Sequence, residues 1–156
     1  MRIGKSTYQF STDLFLRMLG AVYLIAFYSL SSQLHGLVGQ YGILPVGDFL
    51  VRAEQQVGWS ARWYLPTLCW WFPGDGALTV ISMAGMVFAG MLILGLVPLF
   101  ACAALWILYL SLTVAGQTFL SFQWDNLLLE CGLLAILLAP PVWRSRPTHN
   151  PRSSRI

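Results

Sequence analysis

Charge is what this chain has least of. Only 10% of its 156 residues are Asp, Glu, Lys or Arg, whereas a water-facing domain of this size carries about 25%. Too few charges remain to coat a surface in water. Lipid is the expected solvent for the apolar excess, and one compact bundle is the expected body. Between Asp75 and Asp125 there is no acidic, basic or histidine residue at all. The three cysteines, Cys69, Cys102 and Cys131, form no spaced pair, which argues against a disulfide framework or a zinc site. Two histidines are too few for most metal centres. No Ser-His-Asp or Cys-His set and no glycine-rich phosphate loop is legible. No catalytic residue, metal or cofactor is expected, and nothing compels an enzyme.

A formal charge of +3 is compatible with nucleic-acid binding, but its placement argues otherwise. Arg2 and Lys5 stand at one end, Arg144, Arg146, Arg152 and Arg155 at the other. That is the footprint of cytoplasmic anchoring. The basic patch with interleaved aromatics that a single-stranded nucleic acid needs is missing.

What the chain does have is long apolar runs. The first extends from about 13 to 37, with Thr12 and Asp13 as helix-starting residues and Arg17 placed to snorkel to the interface. It is too long for a removable signal peptide and lacks the small-residue cleavage site. The uncharged stretch after Asp75 suits two crossings, broken by Gly95 and Pro98, at about 76–96 and 99–117. Gly85 and Ala89 have the small-xxx-small spacing of close membrane helices. A last helix at about 126–139, capped by Asp125, closes at Pro140 and Pro141. The expected fold is all-α: a polytopic bundle over residues 1–143 with four transmembrane helices, followed by a basic cytoplasmic tail, 144–156. Basic residues at both ends put both termini in the cytoplasm, which requires an even number of crossings.

Two loops then share the opposite face. The longer, His35 to Asp75, has turn residues Gly39, Gly42, Pro45 and Gly47 and a short amphipathic, interfacial helix from Asp48 to Trp59. A belt of aromatics follows: Trp59, Trp63, Tyr64, Trp70, Trp71 and Phe72. These suit the headgroup level, either as anchors or as a docking surface. The shorter loop, Gly116 to Trp124, leads into the candidate cluster of Gln123, Trp124, Asp125, Asn126 and Glu130. Asn126 and Glu130 stand four apart and share a helix face. Glu130 lies within the membrane segment, where a carboxylate needs a partner, and His35, Arg52 and Arg62 come from the same side. An ion pair between Glu130 and Arg62 would lock the first loop onto the bundle. The cluster reads either as a site for a substrate or partner, or as a helix cap plus a structural ion pair.

Several of these segments resemble the lipase maturation factor family. They are Ala104-Leu-Trp-Ile-Leu-Tyr-Leu-Ser-Leu112, the run from Gly116 through Phe122-Gln-Trp-Asp-Asn-Leu-Leu-Leu-Glu130 to Leu138-Ala-Pro-Pro141, Tyr41-Gly-Ile-Leu-Pro45 with its turn residues Gly42 and Pro45, Tyr64-Leu-Pro-Thr67, and Leu16 to Phe27. The resemblance implies a polytopic membrane protein that helps secreted lipases fold. It implies the endoplasmic reticulum membrane in a eukaryote and the inner membrane in a bacterium, with secreted lipases as clients. It also implies further segments after Ile156, so that this chain corresponds to the amino-terminal portion of the family architecture. The family is distantly similar to the membrane domain of vitamin K-dependent carboxylases. The alternative class is a small four-helix redox or quinone-associated protein acting through Cys69 and the carboxylates.

Overall fold

Nothing between Gly4 and Val38 breaks a helix. The computed structural model, which describes residues 4–71 and 74–141 (side chains from Gln9 onward), accordingly shows one uninterrupted helix there, α1 (Gly4–Val38). Its start differs from the expectation at Thr12 and Asp13. Asp13 instead lies inside the helix and accepts a hydrogen bond from Arg17 Nε at 2.9 Å. The two residues thus form an i,i+4 acid–base pair on one helix face. Arg2, Phe72, Trp143 and the tail 144–156 lie outside the described residues, as does the Lys5 side chain.

After the turn around Gly42 come α2 (Val46–Val57), which buries Val46 and Leu50, and the short α3 (Ala61–Tyr64). Two apolar helices follow, α4 (Asp75–Ile93) and α5 (Pro98–Ala115), joined by residues 94–97. Gly95 takes φ 70° and Val97 φ 42° in this connection. Only glycine adopts the left-handed region freely, so the β-branched Val97 holds a costly backbone state that lets Pro98 open α5 at once. The last helix, α6 (Gln123–Leu138), starts two residues before Asp125. Extended Phe122 occupies the cap position, so Asp125 is a first-turn residue rather than a cap.

The described residues thus form an all-helical protein, in which three helices are long and apolar enough to cross a membrane: Gln9–Val38 within α1, α4 and α5. In space α1 lies against α4, α4 against α5, and α5 against α6, with α1 also reaching α5 and α6. Small residues allow the close approach of α1 to α4. A Cβ on Gly85 would run into the Phe27 ring, and one on Gly20 would lie 3.2 Å from the Ala89 carbonyl. The spacing of Gly85 and Ala89 therefore serves the α1–α4 contact, where missing side chains let two backbones approach.

Candidate functional site

The bundle centre carries a line of aromatic and polar groups in apolar surroundings. Tyr23 and Phe27 of α1 stack at 6.2 Å, and both meet Tyr109 of α5 edge-on, at 5.7 and 5.6 Å. The Tyr109 hydroxyl donates to Asp125 Oδ1 at 2.6 Å, and the Tyr23 hydroxyl donates to the Leu128 carbonyl at 3.1 Å. Trp106 Nε1 donates to the next carbonyl, Leu129, at 3.0 Å. A buried phenol or indole needs a partner for its polar end, and here those partners tie α1 and α5 to α6. Asp125 is only 3% exposed, and its Oδ2 has no hydrogen-bond partner among the described residues. The first turn of α6 compensates in part, since unpaired N–H groups and the helix dipole favour an acid there.

The rest of the cluster divides. Gln123, Trp124, Asn126 and Glu130 lie on the outer face of α6, all exposed, with Trp124 stacked on Phe122 at 5.0 Å. Arg62 does not meet Glu130. Its nearest acid is Glu54, with Nη2 to Oε1 at 3.8 Å, and its guanidinium lies over the Trp59 and Trp70 rings at 4.4 and 5.6 Å. The proposed lock between Glu130 and Arg62 is therefore corrected: α2 and the tryptophans hold Arg62, while Glu130 faces away from the bundle. His35 joins neither group, because its Nε2 lies 3.0 Å from Thr79 Oγ1 and ties the end of α1 to the start of α4.

The first loop is fastened by other residues. The Thr67 hydroxyl donates to the Ser111 carbonyl at 3.0 Å, and the Leu68 N–H donates to Ser111 Oγ at 3.1 Å, both against α5. The Gln40 N–H donates to Asp75 Oδ1 at 2.7 Å, and Gln117 Nε2 donates to the Leu44 carbonyl at 3.2 Å. Gly42 closes the turn, its N–H donating to the Gly39 carbonyl at 2.9 Å. A Cβ there would meet the Leu37 backbone at 2.8 Å. Pro45 stands at the N-cap position of α2. Sequence reasoning missed Tyr23, Tyr109, Thr67 and Ser111. Tyr109 alone carried a signal: a phenol in an uncharged stretch needs an acceptor, and Asp125 is the next acid along the chain.

No group of three or more potential metal ligands occurs among the described residues. Cys69, Cys102 and Cys131 are free thiols. Burial pushes the Cys69 thiol up from its ordinary value, against a smaller opposite pull from its hydrogen bond with Thr67.

A bundle of apolar helices pinned to one another by buried phenol and indole hydrogen bonds, with aromatic loops strapped to one end, is an integral membrane protein. Residues 10–156 match the family model described as the lipase maturation factor transmembrane domain, and the chain belongs to the lipase maturation factor family. It is 44% identical to Lipase maturation factor 2 of Rattus norvegicus over 135 residues, which is 82% of this chain and 19% of that protein. It is 44% identical to Lipase maturation factor 2 of Gallus gallus over 144 residues, 85% of this chain and 20% of that protein. With Lipase maturation factor 1 of Mus musculus it shares 32% over 163 residues, 99% of this chain and 28% of that protein. The chain thus spans between a fifth and three tenths of the length of these relatives. No solved structure matches it.

Proposed function

We propose that this bundle is the membrane-embedded part of a maturation factor that helps secreted lipases reach their folded, active form without itself performing catalysis. The observation that carries this reading is the match of residues 10–156 to the family's transmembrane domain, together with the maturation-factor names of the relatives. In this reading α6 is a fourth crossing. Its 16 residues extend roughly 24 Å, short of the ~30 Å hydrocarbon core but extended by Ala139 and the following prolines. Both termini face the cytoplasm, in the endoplasmic reticulum membrane of a eukaryote or the inner membrane of a bacterium. α2 and the tryptophans lie at the opposite interface.

The outer face of α6 supports a role as one module of a larger membrane assembly. Gln123, Leu127, Glu130, Leu134 and Leu137 follow a 4-3-4-3 spacing, the seam pattern by which helices pack. Leu127, Leu134 and Leu137 are 59, 57 and 79% exposed. Glu130 follows Leu129, whose carbonyl meets Trp106 midway along α5, so the carboxyl lies near the middle of the bundle. An ionisable group at the centre of a bilayer costs about 2.5–3.5 kcal/mol. A further transmembrane helix with a donor at that depth offsets the cost, and the relatives' much longer chains have the length to supply one.

The redox alternative needs an accessible thiolate, and Cys69 is buried with its thiol pushed up. The maturation reading is tested by deleting the gene and measuring secreted lipase activity with lipase protein levels held in view. Loss of activity per lipase molecule is expected. Unchanged activity in several secreted lipases would overturn the reading.

A further inference from the structure

A groove of about 780 Å³ opens on the side of the bundle between α4, α5 and the loop. Ala77, Val80, Ile81 and Ala84 of α4 form one wall at helical spacing, with Leu68 and Leu108 opposite. It begins at Gly74 and Trp71, where α4 starts, and reaches Ala84. The helical rise from Asp75 to Ala84 is roughly 14 Å, close to half of a ~30 Å hydrocarbon core. The groove is therefore as deep as one leaflet's acyl chains and is lined by side chains that suit them.

Its mouth adjoins a second hollow of about 380 Å³, which shares the Leu68 and Trp71 walls and is lined by Arg62, Trp70 and Ser111. The Arg62 guanidinium lies over the Trp59 and Trp70 rings, and its nearest acid among the described residues, Glu54, lies at 3.8 Å, beyond hydrogen-bonding distance. Its planar fork of N–H donors thus makes no hydrogen bond to a described residue, in a geometry that suits a phosphate. The other side of the mouth, a hollow of about 270 Å³ around Asp48 and Asp75, is acidic and repels an anion. The charges bias a negative headgroup toward Arg62.

We infer that the α4–α5 groove and the Arg62 hollow together bind one anionic glycerophospholipid of the adjacent leaflet, an acyl chain along α4 and the phosphate on Arg62. The inference rests on the chain's residence in a membrane and not on its part in lipase maturation.

The test is native mass spectrometry of the intact chain released from detergent containing equal amounts of dioleoylphosphatidylglycerol and dioleoylphosphatidylcholine. A single retained phosphatidylglycerol, preferred at least fivefold, is expected. Arg62→Gln is expected to abolish the preference. Arg52→Gln, which removes the same charge from an exposed site away from both hollows, keeps it. Ala84→Phe, which fills the groove, lowers retention of both lipids. Equal retention by the parent chain, or an Arg62→Gln variant with the parent's preference, would overturn the assignment. Displacement of the lipid by millimolar inorganic phosphate would also overturn it, by making the hollow a small-anion site.

Discussion

Tyr109 and Asp125 hold the bundle at its most polar buried point, and the bond between them is short because one partner is a carboxylate. Tyr109→Phe keeps the ring and its edge contacts but leaves both Asp125 oxygens without a donor among the described residues. Leaving a buried polar group unmet costs about 1–3 kcal/mol, so the variant should melt at lower temperature in detergent, and equal melting would argue against the bond. Cys69 gives a pH test at the same scale. Its thiol is raised in the folded chain, so the fold favours the protonated form. The resulting contribution to stability is complete below the unfolded thiol's value and declines as pH rises through the folded one. Alkylation of Cys69 in the native protein should be slow at neutral pH and accelerate only above the ordinary thiol range. A rate at pH 7.5 equal to that of a cysteine peptide would contradict the burial described for it.

At the scale of elements, the helices were legible because apolar runs broken by Gly and Pro leave few alternatives in lipid. Their rotational settings were not. Successive residues on a helix point about 100° apart, so neighbours as close as Asp125 and Asn126 take opposite fates, one in the core and one outside. No spacing rule within α6 says which face turns inward; that depends on Tyr109 and Tyr23, which come from other helices. The sequence therefore placed the candidate residues on one helix but not the face each would take, so the pairing of Glu130 with Arg62 failed, and nothing in the spacing of Thr67 and Ser111, two hydroxyl residues, announced the clamp between them. Gly132 reports on the rotation of α6. A Cβ there would collide with the Tyr23 hydroxyl, so Gly132→Ala should cost about 1–3 kcal/mol through overpacking. Removing the hydroxyl by combining it with Tyr23→Phe should recover part of the loss relative to Gly132→Ala alone. A double variant that simply adds the two single losses would show that the residues do not touch.

For the whole molecule, the loops at one end, the small-residue contact between α1 and α4 and the exposed seam of α6 describe a bundle that is internally tied but open on one flank. Glu130 tests whether that flank serves the bundle itself or a further helix. In the isolated chain Glu130→Leu should leave melting unchanged or raise it, because an exposed carboxyl on the outer face of α6 is replaced by an apolar group. Under the proposed function, the same change in cells should lower secreted lipase activity, because the outer face of α6 would lose the polar contact that a further helix supplies. Reduced melting of the isolated variant would place Glu130 in the bundle's own packing instead.

The central claim of the proposed function, that α6 makes a fourth crossing beside the three apolar helices, is tested most directly by cysteine labelling. In a chain freed of its own cysteines, single cysteines at Gln9, Gln55, Leu94, Ser121 and Pro141 would be exposed to a membrane-impermeant maleimide on intact cells or sealed vesicles of known orientation. Labelling of 55 and 121 from the non-cytoplasmic side, with 9, 94 and 141 reached only from the cytoplasmic side, is the predicted result. Labelling of 121 and 141 from the same side would mean that α6 does not cross, and would contradict the four-helix account.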